Sequence, residues 1–195
     1  MIPQYVLLYK VTTMHKQALI FMKEQLIIVD KKDREIGYEE KEKCHYGKPI
    51  LHRAFSVFIF NDKGEMLMTK RSRMKKTWPL HWSNACCSHP RKGETVEKAA
   101  ARRVKEELGI SAALTFLFKF EYSAQYNKEW GEHELDHVFA GRYAGTIRPN
   151  HDEIDDIKFV STEKLREDIE KNPKNYTPWF KLALDRVIEH TKDGL

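Results

Sequence analysis

The chain has 195 residues, of which 41% are hydrophobic and 32% charged, with a formal net charge of +5. That describes an ordinary globular protein, long enough to bury a core in one domain without a disulfide or structural metal. Three cysteines, two of them adjacent, exclude a secreted disulfide framework and point to a reducing cytosol with at least one free thiol. The positive charge permits an acidic partner, but no nucleic-acid-binding motif accompanies it, so a diphosphate-bearing small molecule is the more economical anion.

Residues 1–21 read as an N-terminal extension. The apolar run Val6-Leu7-Leu8-Tyr9 is interrupted by Lys10, His15 and Lys16, well short of the ~20 apolar residues of a membrane span. Neither a basic start nor a small-residue cleavage site marks a signal peptide. From Met22 onward the chain reads as one domain, residues 22–195. Glu24–Asp30 is a β-branched strand closed by a turn-like Lys31–Gly37. Tyr38–Ile50 is polar and reads as a loop or short helix. Ala54–Phe60 and Glu65–Lys70, joined by Asn61-Asp62-Lys63-Gly64, predict a β-hairpin. A basic segment, Lys70–Pro79, leads into Trp82-Ser-Asn-Ala-Cys-Cys-Ser-His-Pro90. Thr95 is a helix N-cap; Val96, Ala99, Ala100, Val104 and Leu108 form an apolar stripe, and Gly109 is the stop. Strands follow at Ala113–Tyr122, His133–Tyr143 and 153–160, then helices at Thr162–Lys171 and from Pro178 to about His190. The expected fold is a mixed α/β sheet flanked by helices.

Several residues carry chemistry. Glu132 and Glu134 are two apart in a strand, so they leave one face and repel unless a proton or metal lies between them. With His45, His52 and His89 they make a sensible site for a divalent ion. A Cys-His zinc site using Cys44, Cys86 or Cys87 is the rival, although no C-x2-C pair is present. Arg103 and Glu107 share a helix face and suit a phosphate and a hard cation such as Mg²⁺. Trp82, Tyr122, Trp130 and Trp179 are candidates to wall an apolar pocket.

Glu94, Arg102, Val104, Glu106-Glu107 and Gly109-Ile110 resemble the Nudix box, with two departures: Ser88 stands where the box opens with Gly, and Arg103 replaces a metal-binding Glu. Asn84-Ala-Cys-Cys-Ser-His-Pro90 and Trp130-Gly-Glu-His-Glu-Leu-Asp136 resemble the two signatures of the type I isopentenyl-diphosphate Δ-isomerases. His45–Phe55, Arg71–Pro79 and Thr177-Pro-Trp179 fit the same family. The resemblance implies a Nudix-like α/β/α sandwich that moves a C=C bond of a prenyl diphosphate without flavin or nicotinamide. It further implies Cys87 as catalytic thiol and Glu134 as opposing acid/base, with Tyr122 beside Glu134 and Trp179 facing a carbocation. His45, His52, His89, Glu132 and Glu134 would hold Zn²⁺, Mn²⁺ or Mg²⁺. Glu107 and the Cys87 carbonyl would hold the Mg²⁺ that bridges to the diphosphate, and Lys41, Arg71, Lys75 and Arg103 would grip its oxygens. A cytoplasmic enzyme, favoured as a monomer, with no nucleic-acid or membrane partner, is expected. The alternatives are a Nudix diphosphate hydrolase, which the Arg103 departure disfavours, and a non-catalytic Nudix-like binding domain.

Overall fold

The computed structural model of the chain describes residues 24–192 and residue 194, so the extension expected over residues 1–21 lies outside the described residues. The strand His52–Phe60 (β3) is the spine of the architecture, and all of its residues but Arg53 are buried. Along its whole length β3 pairs in parallel with β8 (Gly131–Arg142), from His52 opposite Glu134 to Phe60 opposite Arg142. Its other edge is shared in turn by β1 (Gln25–Val29), β6 (Cys86–Ser88) and β4 (Met66–Arg71). β8 pairs outward with β7 (Leu114–Gln125), and β1 with β2 (Glu35–Glu40). β4 lies between β5 (Trp82–Ser83) and β9 (Ile154–Val160). The four α-helices among the described residues are α1 (Lys41–His45), α2 (Val96–Leu108), α3 (Thr162–Lys171) and α4 (Pro178–Thr191).

The period-two alternation of β3 divides the core into two layers. Phe55, Val57 and Ile59 pack against Ala99, Ala100, Val104 and Leu108 of α2. Phe58 and Phe60 point the other way, into a cluster with Phe180, Ala183, Leu184 and Val187 of α4. A mixed sheet covered on both faces by helices results, as the alternating pattern of the chain predicts. The Thr95 hydroxyl caps α2 by accepting from Lys98 N at 3.4 Å. Gly109 ends the helix at φ 68°, where a Cβ would stand 3.0 Å from Arg148 O, so glycine is required there.

Two expectations need correction. The turn-like segment and the polar loop after it contain β2, which pairs with β1 through a register shift at Ile28/Val29. Its residues are exposed or half-exposed without alternation and half of them are glutamate, so no period-two pattern marks the strand. The hairpin of β3 and β4 is a single rung, Phe60 opposite Met66. Beyond that rung β6 takes the place of β4 beside β3 and β5 that of β3 beside β4, while β9 runs along the opposite edge of β4 from Met66 to Arg71.

Candidate active site

The register of three strands builds the first row of the site. Tyr122 on β7 lies opposite Glu134 on β8, which lies opposite His52 on β3, so the three side chains leave the same face of the sheet. Glu132 leaves that face two residues earlier. His45 arrives from the end of α1 and His89 from the residue after β6. One ligand-capable atom from each of His45, His52, His89, Glu132 and Glu134 lies within 4.8 Å of all the others, and all five residues are buried.

The hydrogen bonds around this cluster decide how its atoms face. Nδ1 of His45 donates to Lys41 O and Nδ1 of His52 donates to Ile50 O, each at 2.7 Å. In the neutral rings both Nε2 atoms are therefore lone-pair donors directed at carboxylates. His45 Nε2 is 2.8 Å from Glu132 Oε2, and His52 Nε2 is 3.5 Å from Glu134 Oε1. His89 Nε2 is 2.8 Å from the same Glu134 oxygen. Among the described residues His52 Nε2, His89 Nδ1 and Glu132 Oε2 are buried without a hydrogen-bond partner. Lone pairs converging on lone pairs in a dry site fit a divalent cation. Burial drives the His89 imidazole down to about 3, keeping it neutral. Burial raises the Glu134 pKa, and N–H groups or positive charge presented by the His52 and His89 rings would outweigh it and hold the carboxyl well below its usual range. With neutral rings turning lone pairs inward, a cation takes that part. The outer oxygens are also held: Thr77 Oγ1 donates to Glu132 Oε1 at 2.7 Å, and Tyr122 Oη donates to Glu134 Oε2 at 2.5 Å.

The thiol lies on the other edge of β3. Cys86 and Cys87 are successive residues of a strand and leave opposite faces: Cys86 is sealed in the α2 layer, while Cys87 packs against the α4 layer. The Cys87 thiol donates to Asn84 Oδ1 at 3.0 Å and accepts from Trp179 Nε1 at 3.1 Å. Asn84 Nδ2 donates to Val57 O and Cys86 O, which fixes its carbonyl oxygen toward the sulfur. Burial and then the Asp136 charge push the Cys87 pKa up to about 12, so the sulfur keeps its proton at neutral pH.

Cys87, Tyr122, Glu134 and Trp179 all line one cavity of about 350 Å³. The four cations expected to grip an anion, Lys41, Arg71, Lys75 and Arg103, line it too. Each of them has protein partners. Lys41 Nζ is 3.1 Å from Glu24 Oε2. Arg71 donates to the carbonyls of Thr77 and Trp78, and its guanidinium sits 5.2 Å from the centre of the Trp179 ring. Lys75 pairs with Glu153. Arg103 NH2 reaches Glu107 Oε1 at 2.6 Å and Glu153 Oε1 at 2.7 Å. Glu107 is buried and lies outside the large cavity; with Cys87 it lines an adjoining hollow of about 10 Å³, room for about one water-sized occupant. Trp130 lines the cavity, whereas Trp82 does not and lies under Lys158 Nζ at 4.1 Å. The metal-competent cluster among the described residues contains no cysteine sulfur, against the Cys-His rival.

Sequence reasoning missed Glu153, Asn84, Thr77 and the pair Ser56–Asp136, in which Ser56 Oγ donates to Asp136 Oδ2 at 2.7 Å. Asp136 was within reach, since it stands two residues beyond Glu134 on the same face of a strand. Glu153 carries no local signal, because its partners are 78 and 50 residues away.

Residues 50–180 match the NUDIX domain family. The chain is 44% identical to isopentenyl-diphosphate Delta-isomerase 1 of Aromatoleum aromaticum, over 86% of this chain and 94% of that one. It is 37% identical to the chloroplastic isopentenyl-diphosphate Delta-isomerase II of Arabidopsis thaliana, over 91% of this chain and 73% of that one. Among solved structures, DR0079 from Deinococcus radiodurans superposes with a TM-score of 0.63 at 20% identity, covering 76% of this chain and 90% of that one, a likeness of fold alone.

Proposed function

The chain belongs to the isopentenyl-diphosphate Delta-isomerases of the NUDIX domain family, and from that premise we propose how its cavity interconverts isopentenyl and dimethylallyl diphosphate. The reaction adds a proton to C4 of isopentenyl diphosphate and removes one from C2, moving the double bond through a tertiary carbocation at C3. No electron is gained or lost, so an acid and a base suffice and neither flavin nor nicotinamide is needed. Cys87 and Glu134 are the two groups: one delivers the proton and the other takes one, and the roles exchange in the reverse direction. The reading rests on one observation. Cys87 and Glu134 stand on the strands that border β3 on its two edges, and both line the same cavity.

The neighbours fit these roles. Tyr122 holds Glu134 Oε2, and Trp179 holds the Cys87 sulfur while its indole lines the cavity. An aromatic ring beside the C3 cation stabilises it by ~1–2 kcal/mol when water is excluded. Lys41, Arg71, Lys75 and Arg103 take the diphosphate oxygens. His45, His52, His89, Glu132 and Glu134 would hold a divalent ion, Zn²⁺, Mn²⁺ or Mg²⁺, and Glu107 with the Cys87 carbonyl would hold a Mg²⁺ that supplies positive charge to the diphosphate. When bound, these ions would supply fixed positive charge beside Glu134 and against the diphosphate, which stays attached to C1 throughout. Residues 22–195 act as one domain, and the three unpaired thiols suit a reducing compartment such as the cytosol. No described helix is long and apolar enough to cross a membrane. A Nudix-type hydrolase is disfavoured because Arg103 stands where the box carries a metal-binding glutamate, which leaves fewer carboxylates to gather the ions that hydrolysis needs.

Proton NMR of isopentenyl diphosphate with the protein and Mg²⁺ in D₂O tests this reading. Dimethylallyl diphosphate carrying deuterium, without free phosphate, is expected. Release of phosphate, or product without deuterium in D₂O, overturns the proton-transfer route.

A further inference from the structure

Glu153, just before β9, lines both the cavity and the adjoining hollow, yet the preceding reading gives it no task. Its two oxygens hold two cations from separate elements: Oε2 pairs with Lys75 of the basic loop, and Oε1 accepts from Arg103 NH2 of α2 at 2.7 Å. Its backbone carbonyl also accepts from Ser72 N at 3.0 Å, so the same residue ties down the start of that loop. Lys75 and Arg103 carry like charges and would repel one another in a half-buried site. A single carboxylate with one oxygen for each keeps both at the cavity wall and sets the distance between them. Donors remain for a ligand: Lys75 has an ammonium with three N–H groups, and Arg103, which also lines the cavity, has five for its three carboxylate partners Glu106, Glu107 and Glu153.

We propose that Glu153 is a positioning residue that holds Lys75 and Arg103 at the spacing of two phosphoryl groups, and thereby makes the site select a diphosphate over a monophosphate. The inference rests on the reading that Lys75 and Arg103 contact the diphosphate. One phosphoryl group is satisfied by whichever cation it meets. Two joined groups need both cations at a fixed separation, and that geometric demand is where the bridging carboxylate acts. Its role differs from that of Glu107, which touches only the Arg103 side of the pair.

The test uses the full-length, metal-loaded protein and two probes, inorganic pyrophosphate and inorganic phosphate, with calorimetric affinity and inhibition of isomerisation as readouts. Glu153→Gln keeps the shape but loses the charge. It is expected to weaken pyrophosphate binding about tenfold or more while changing phosphate binding less than about twofold, and its kinetic loss should fall on KM more than on kcat. Glu153→Asp, which retains two oxygens, should recover part of the pyrophosphate affinity. Melting curves of each variant establish that the fold persists. Equal loss on both probes, or unchanged or tighter pyrophosphate binding in Glu153→Gln, overturns the proposal. Lys75→Met separates the two levels: if it binds pyrophosphate like the wild type, the cation assignment itself falls. If Lys75→Met is weakened and Glu153→Gln is not, only the role of Glu153 falls.

Discussion

Single residues in the cavity have distinct expected effects. Cys87→Ala and Glu134→Gln remove one of the two proton-transfer groups, and each should lower turnover by roughly 10²–10⁴-fold or more while circular dichroism stays native; near wild-type turnover in either would remove that residue from the mechanism. Tyr122→Phe strips Glu134 of its 2.5 Å donor. Leaving a buried carboxylate oxygen without its partner should cost about 1–3 kcal/mol of stability, with a fall in kcat, both read on the same purified variant. The acid limb of stability follows from two other glutamates. For Glu24 and Glu153 burial raises the pKa, but Lys41 in the first case and Lys75 with Arg103 in the second outweigh it and hold each at about 2, against the ordinary 4.5. A depressed folded-state pKa stabilises fully above 4.5 and is lost as the pH falls from there toward 2. Melting temperatures taken from pH 6 downward should therefore decline in that window, with a smaller decline in Glu153→Gln. At this scale the sequence was legible where residues act within motifs: the histidines, the paired glutamates and Cys87 all reached one site. Glu153 and Thr77 were not, because each is defined by a partner at least 50 residues away.

Elements obey local rules where their burial is one-sided and fail to where it is not. The apolar stripe of α2 announces which face it buries, and the structure puts Ala99, Ala100, Val104 and Leu108 against β3. Leu108→Ala, at a fully buried position, should cost ~2–5 kcal/mol, measured by denaturant unfolding. The same element shows a divided use of the box: Arg102 is anchored on Glu94 at 2.8 Å through two nitrogens, a fastening of the loop to the helix, whereas Arg103 and Glu107 face inward. The strands were harder to read. β3 and β4 have the residues of a hairpin, yet they part after one rung, where β6 takes over beside β3 and β5 beside β4. Nothing local distinguishes a strand that stays from one that leaves. β2 escaped notice for the complementary reason, since its exposed and charged composition resembles that of a loop.

For the molecule as a whole, layer architecture was legible because alternation in β3 and β8 and helical stripes on either side leave few other arrangements. The metal-competent cluster draws its five members from α1, β3, the residue after β6 and β8, so an ion there joins parts of the chain that the sheet alone holds together. Removing divalent ions with a chelator should lower the melting temperature, and restoring them should recover it by mass action; a melting temperature indifferent to chelation would argue against a tightly held ion. The parallel alignment of β3 with β8 has a kinetic consequence as well. It is non-local: Ser56 and Asp136, bonded across it, are 80 residues apart in the chain. Contacts of that span form late, because the intervening loop must be closed before any of them forms. His52 and Glu134 face each other across the same pairing, so no early, locally structured form of the chain can assemble the pocket. In refolding from denaturant, catalytic activity should return no sooner than the slowest step that orders the sheet, while α2 and α4 recover helical signal ahead of it.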